Sequence, residues 1–185
     1  NTEPQACRQA ADWLVRRLSE CGLQARAVAT AGQPNVLASL HVGDDSPTLL
    51  VYGHYDVQPP DPLDQWQSPP FEPVVRDGAI WARGANDDKG QLYAHIMAIE
   101  AWQQAGGGVP VNLRVLLEGQ EEVGSPDMEK FLAAHAEELA ADAAVISDSG
   151  FFAENLPSIT YALRGLAYVE VTFRGLWADI HSGLN

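Results

Sequence analysis

The fold is decided by residues 48–56, which read TLLVYGHYD. Residues 48–52 form an apolar, strand-like run, and the polar segment Gly53-His54-Tyr55-Asp56 follows it directly. In open α/β sheets, ligands bind outside the carboxyl ends of the strands. Residues 48–56 therefore predict a buried sheet strand with a ligand site at its end.

Three further segments repeat this arrangement of an apolar run followed by acidic residues. They are residues 83–90 after the run 79–82, Glu121-Glu122 after the run 111–118, and Asp148 after the run 143–147. One histidine and several carboxylates that converge at one sheet edge suit a hydrolytic site with two divalent cations.

Strand-like runs alternate with helical patterns along most of the chain. The patterns predict helices over residues 4–21, 88–104 and 125–139, strands over 23–29, 35–42, 48–52, 111–117 and 143–147, and a hairpin around Asp77-Gly78. Ser125 would be the N-cap of the third helix, with Pro126 at its first position. This alternation predicts an α/β fold of three layers, α/β/α, with a mostly parallel sheet. After Pro157 the rhythm changes, because strand follows strand at residues 158–163 and 167–174.

Composition excludes several classes of partner. The 185 residues contain 11 Lys and Arg against 25 Asp and Glu, a formal net charge of −14. Such a balance argues against binding to nucleic acid and to anionic membrane surfaces. Residues 1–11 lack the pattern of a secretory signal, and two isolated cysteines fit a reducing compartment. We expect a cytoplasmic protein.

Each candidate site residue has a purely structural interpretation when it is taken alone. His54 could be a strand-end histidine bonded to a loop, although Asp56, two residues on, is well placed to orient a ligating imidazole. Asp87-Asp88 opens a predicted helix, where carboxylates also serve as caps. We predict that Asp87 bridges two cations and that Asp88 binds none.

The remaining acids have structural interpretations too. Glu121-Glu122 could be two solvated loop acids, but adjacent like charges after an apolar strand are stabilised by a nearby cation. Because neighbouring side chains point in different directions, one would bind metal and the other would accept a proton. Asp148 could be a strand-end cap. The four segments together favour a metal site, since otherwise four independent structural interpretations must all hold.

The motifs resemble those of the co-catalytic zinc peptidase family, which includes carnosinases, aminoacylases, carboxypeptidase G and succinyl-diaminopimelate desuccinylase. The resemblance lies in the strings GHYDV at 53–57, RGANDDKG at 83–90, EGQEE at 118–122 and Ser147-Asp148. Further matches at Gln58-Pro59, Trp66, Pro70-Phe71, Ile159-Thr160-Tyr161 and Leu163-Arg164-Gly165 are most similar to the carnosinase-like dipeptidase branch.

The resemblance implies a set of metal ligands. His54, Asp87 and Asp148 would bind one cation, and Asp87 and Glu122 the second, with Asp87 as the bridge. Zn²⁺ is the expected metal, and Mn²⁺ is the alternative for a site so rich in carboxylates. The family also implies a cis peptide bond between Asp87 and Asp88.

The resemblance further implies the catalytic residues. Glu121 would be the general base, and Asp56 would steady His54. His181, in the string DIHSG at 179–183, would stabilise the oxyanion in the active site of the partner subunit of a homodimer. Residues 1–165 would then be the N-terminal part of the catalytic domain, and residues 166–185 the beginning of the dimerisation or lid domain.

One family ligand has no counterpart here. The second cation of the family takes a further histidine from a C-terminal segment, and His41, His95 and His135 match no ligand motif. We therefore expect the chain to be an N-terminal portion of a metallopeptidase that cleaves dipeptides or short peptides. An N-acyl-amino-acid deacylase with the same site residues, and a catalytically incomplete metal-binding fragment, are the alternatives.

Overall fold

The computed structural model describes residues 4–153 and 155–173. Contacts divide the chain into two units, Asn1–Gly150 and Phe151–Asn185. The predicted division into domains after residue 165 stays a prediction. No helix within the described residues is long and apolar enough to cross a lipid bilayer.

The first unit is built on a five-stranded sheet. Its strands are β1 (Gln24–Val28), β2 (Asn35–Leu40), β3 (Thr48–His54), β6 (Asn112–Glu118) and β7 (Ala143–Ile146). They lie in the order β1-β2-β6-β3-β7. Strands β6, β3 and β7 are parallel, whereas β2 is antiparallel to β6, and β1 to β2. The intervening strands β4 (Val74–Arg76) and β5 (Ala79–Trp81) form the predicted hairpin.

Helices cover both faces of the sheet. They are α1 (Pro4–Glu20), α2 (Gly90–Gln104) and α3 (Met128–Ala134). One core contains Leu14 of α1 and Ile96 of α2, and the other contains Phe131 of α3. Successive residues of a strand point to opposite faces, so β6 places Val115 in the first core and Leu116 in the second. The predicted three-layer α/β fold is confirmed.

The prediction for the third helix was wrong at both ends. Ser125 does not cap it, since Ser125 has a φ of +51° and follows Gly124, whose φ is +85°. The helix instead begins at Met128 and ends at Ala134, so it is much shorter than the predicted 125–139. A left-handed residue breaks helical geometry, which explains the later start.

Two predicted strands are absent from the described part of the second unit. Residues 158–163 and 167–173 form no ladder, and the one β-contact of that segment is an isolated bridge between Ala153 and Leu156. Their apolar side chains are exposed, among them Ile159, Tyr161 and Val171. A strand needs a partner for its backbone groups, and these residues have none within the described chain.

Candidate metal centre

The sheet register brings three of the four predicted site segments to one edge. Parallel pairing of β3 with β6 sets His54 opposite Glu118, and pairing of β3 with β7 sets Tyr52 opposite Ile146. His54 ends β3, Glu121 follows β6 by three residues, and Asp148 follows β7 by two. Carboxyl ends of parallel strands thus deliver one imidazole and two acids to the same place.

His54 is the centre of this cluster. It is fully buried, and its Nδ1 lies 3.4 Å from Oδ1 of Asp56. Its Nε2 lies 3.0 Å from Oδ1 of Asp87, 3.5 Å from Oδ2 of Asp148 and 4.0 Å from Oε2 of Glu121. One ring nitrogen therefore faces a buried carboxylate, while the other faces three carboxylates that reach solvent.

The acidic surroundings alter the titration of the site. Burial by itself lowers the pKa of His54, but Asp56, Asp148 and Glu121 outweigh it and raise that pKa to about 9. Burial raises the pKa of Glu121, an effect that His54 opposes and Asp148 supports. Concentrated negative charge of this kind is what a bound cation would compensate.

Asp56 connects the imidazole to the turn that follows β6. Its side chain is buried. The backbone N–H of Glu121 donates to Oδ1 of Asp56, and the N–H of Glu122 donates to Oδ2, each at 3.2 Å. One carboxylate thus contacts both His54 and the turn of the two glutamates, whereas the sequence indicated only the first contact.

Asp88 supports His54 from the backbone side. Its fully buried carboxylate accepts a hydrogen bond from the N–H of His54 at 3.2 Å, and burial raises the pKa of Asp88 to about 6. A Cβ at Gly53 would lie 2.7 Å from Oδ2 of Asp88, so any side chain there would have to displace that carboxylate. The Asp87–Asp88 peptide bond is cis, as the resemblance implied.

Lys89 is a contributor that sequence reasoning missed. Its ammonium donates to the carbonyl oxygen of Tyr55, which lies between His54 and Asp56 in the chain. Burial lowers the pKa of Lys89, while the carboxylate of Asp56 opposes that shift. Lys89 and Tyr55 are 34 positions apart, so no local pattern could have revealed the contact.

Three of the predicted ligands form a group that could hold a metal ion. The ligand atoms of His54, Asp87 and Asp148 all lie within 4.8 Å of one another. The side chains of Asp87 and Asp148 are 60% and 30% exposed, so an ion can reach them from solvent. One imidazole nitrogen with carboxylate oxygens is a donor set that Zn²⁺ and Mn²⁺ accept. The residues fit a divalent cation.

Two other predicted site residues, Glu122 and His181, are not among these three ligands. Glu122 is not in this group of ligand atoms, and its carboxylate accepts from Gln58, at 3.2 Å from the backbone N–H and 2.7 Å from Nε2. Its role as a ligand of a second cation stays a prediction. His181 lies outside the described residues.

The three remaining histidines of the described chain make other contacts. His95 bonds the Ser147 hydroxyl at 2.8 Å, His135 contacts Glu138, and His41 contacts Asp44. None joins the group of ligand atoms.

Comparison with known proteins identifies the family. The profile of Peptidase family M20/M25/M40 matches residues 50–173, about two thirds of the chain. The chain belongs to this family. M20 peptidases are metal-dependent, in agreement with the candidate metal centre, and the predicted resemblance to this peptidase family is confirmed.

Several of the relatives that the chain is similar to are named as dipeptidases. The chain is 42% identical over 154 residues to Cys-Gly metallodipeptidase dug1 of Schizosaccharomyces pombe, covering 82% of this chain and 32% of that protein. It is 36% identical over 152 residues to Beta-Ala-His dipeptidase of Mus musculus, covering 81% and 31%. Among solved structures, human carnosine dipeptidase 1 matches with a TM-score of 0.73 and 30% identity over 78% of this chain and 33% of that one. The chain spans about a third of the length of these relatives.

Proposed function

We propose that this chain supplies the metal-binding and proton-transferring residues of a metallopeptidase that hydrolyses dipeptides or short peptides. The observation that carries the proposal is the convergence of His54, Asp87 and Asp148, with Oε2 of Glu121 4.0 Å from the imidazole. The relatives are named as Cys-Gly and Beta-Ala-His dipeptidases, which supports dipeptides as the substrate class. Because the chain spans about a third of those relatives, we propose the activity for a longer protein of which it is the N-terminal portion.

The proposed metal ligands form two overlapping sets. His54, Asp87 and Asp148 would hold one cation, and Asp87 and Glu122 would hold a second, with Asp87 in both sets. We propose Zn²⁺, with Mn²⁺ as the alternative, since imidazole favours the first and carboxylates accept the second. Cations held there would supply Lewis acidity, which polarises a peptide carbonyl and makes water a better nucleophile at neutral pH.

Glu121 is the proposed general base. It would take a proton from water as the water oxygen forms a bond to the carbonyl carbon, and give that proton to the nitrogen as the C–N bond breaks. Burial raises the pKa of Glu121, which makes its carboxylate a better proton acceptor. Asp56 would hold the backbone of Glu121 and the imidazole of His54 in one arrangement.

The proposal extends to the partner and the location. We propose a homodimer formed through a lid domain that begins at residue 166, in which His181 of each subunit stabilises the oxyanion in the other. We also propose a cytoplasmic location, which the two free cysteines, Cys7 and Cys21, support.

The test is Glu121→Gln in the full-length protein, assayed with dipeptides and with N-acetyl amino acids. Removal of the base should lower kcat by about 10²–10⁴-fold while two metal ions per chain remain, as measured by plasma mass spectrometry. The matched control is Glu129→Gln, which removes an exposed acid on α3.

Each outcome decides between the alternatives. Preferential turnover of N-acetyl amino acids would indicate that the enzyme is a deacylase and not a dipeptidase. Unchanged properties of Glu121→Gln would favour a metal-binding protein without catalysis. A single metal ion per chain would rule out the second cation. The absence of metal from a folded protein would rule out the metal site.

A further inference from the structure

A third carboxylate of the β6 segment has no part in the proposed chemistry. Glu118 ends β6, directly opposite His54 in the register, and only 2% of it is exposed. Burial of a carboxylate is costly unless hydrogen bonds satisfy it. Among the described residues, no lysine, arginine or histidine forms an ion pair with Glu118, so other donors must stabilise it.

Two hydroxyl groups serve as those donors, and both bond the same oxygen. The Tyr52 hydroxyl donates to Oε2 of Glu118 at 2.7 Å, and the Ser125 hydroxyl donates to it at 3.1 Å. These two hydrogen bonds offset part of the cost of burying that oxygen. Glu118 therefore joins two segments that are far apart in the sequence.

The Ser125 contact closes the turn that carries the two glutamates. Within the turn, the N–H of Ser125 donates to the carbonyl of Gln120 at 2.9 Å, and the N–H of Gly124 to that of Glu121 at 2.8 Å. Ser125 has a φ of +51°, a conformation that non-glycine residues adopt infrequently. Its hydroxyl bond to Glu118 connects the end of the turn to its beginning.

The Tyr52 contact connects the same oxygen to the strand of the imidazole. Tyr52 precedes His54 by two residues on β3, and residues two apart in a strand point to the same face. Oε2 of Glu118 is therefore bonded on one side to the strand that presents His54 and on the other to the turn that presents Glu121.

We propose that Glu118 is a positioning residue, which through Tyr52 and Ser125 fixes Glu121 relative to His54. The inference rests on the proposed function of Glu121. A purely structural role would predict that activity falls only as far as folding does. A positioning role predicts that turnover falls while the fold, the metal content and substrate binding are retained.

The experiment removes single hydroxyl groups in the full-length protein. Ser125→Ala and Tyr52→Phe should each lower kcat about tenfold, as is usual for partners that orient site residues, with KM and metal content near those of the parent. Each should lower Tm less than Glu118→Leu does, because one donor to the buried carboxylate remains. Hydrogen exchange of residues 119–125 should be faster in metal-free Ser125→Ala. Matched controls are Ser19→Ala, which removes a hydroxyl bonded within α1, and Tyr93→Phe, which alters an exposed ring on α2.

Substitutions of Glu118 complete the test. Glu118→Leu removes the acceptor, whereas Glu118→Gln can place a carbonyl oxygen where Oε2 lies and accept both hydroxyls. We expect Glu118→Gln to recover most of the turnover that Glu118→Leu loses. If Glu118→Leu does not fold, the hydroxyl variants decide.

Three results would overturn the inference. They are full turnover in both hydroxyl variants, a loss of turnover that parallels a loss in Tm, and unchanged exchange of residues 119–125. Glu121→Gln separates this failure from that of the proposed function. If Glu121→Gln is inactive and the hydroxyl variants are fully active, only the role of Glu118 is wrong, whereas an active Glu121→Gln contradicts the proposed function itself.

Discussion

The acids at the site edge fall into two groups that differ in how they are satisfied. We call the first group the buried acids, Asp56, Asp88 and Glu118, and the second the open acids, Asp87, Glu121 and Asp148. At most 2% of any buried acid is exposed, whereas the side chains of the open acids are 30–60% exposed. The two groups also differ in the hydrogen-bond donors that contact them.

The buried acids accept hydrogen bonds from the protein itself. Asp56 and Asp88 accept backbone N–H groups, and Glu118 accepts two hydroxyls. Within the described chain, each open acid forms an ion pair with one group only, Nε2 of His54. Acids that accept several hydrogen bonds from the protein therefore hold the scaffold together, whereas the acids paired only with one imidazole nitrogen stay open to solvent and to the proposed cations.

The largest effect is expected from removing an open acid. Asp148→Asn should weaken Zn²⁺ binding by more than about 100-fold, since loss of a ligand exceeds the loss caused by an orienting partner. Stability without metal should change much less than in a buried-acid variant. Calorimetric titration and urea unfolding without metal measure the two quantities.

The control for Asp148→Asn is Asp45→Asn, which removes an exposed acid in the turn before β3. It should bind metal as the parent does and unfold within about 0.5 kcal/mol of it. Parent-like affinity in Asp148→Asn would mean that open acids are not ligands.

Removing a buried acid should show the reverse pattern. Asp56→Ala leaves the N–H groups of Glu121 and Glu122 without their acceptor, which should lower the free energy of unfolding of the metal-free protein by about 1–3 kcal/mol. Metal affinity should fall by about 10–100-fold, less than in Asp148→Asn. Unchanged metal-free stability would argue against a scaffold role for this acid.

A smaller effect is expected from crowding a buried acid without removing it. Gly53→Ala would place a Cβ 2.7 Å from Oδ2 of Asp88, and overpacking of this kind costs about 1–3 kcal/mol, which we expect to fall at the lower end. Thermal unfolding without metal measures it. Gly107→Ala, where a Cβ would meet nothing within 4 Å, is the matched control, and equal Tm shifts in the two variants would contradict the crowding.

The sequence predicts the open acids better than the contacts of the buried acids. His54 and Asp148 follow strands of the parallel part of the sheet, so sheet topology alone brings them together. Asp87 instead lies between β5 of the separate hairpin and α2, and its motif is what indicated it. The scaffold contacts depend on turn geometry instead. The Ser125 hydroxyl was predicted to cap a helix, but the left-handed backbone at Ser125 turns that hydroxyl toward Glu118.

Some features of the fold are likewise predicted from the sequence, and others are not. Periodicity predicts the layers and most strand positions, because alternation and helical spacing are local properties of the chain. Periodicity made the third helix too long, and it predicted strands at 158–163 and 167–174 that the described residues there do not form. A strand is defined by its partner, which a local pattern cannot identify.

The pairing of His54 with Glu118 also limits which length changes the chain can tolerate. Side chains alternate along a strand, so one residue inserted within β3 would turn the imidazole toward the opposite layer and separate it from Asp87 and Asp148. An insertion of the same size in the proline-rich loop 59–73, outside the five-stranded sheet, changes no register. Length variation among homologous chains should therefore collect in that loop and be excluded from β3.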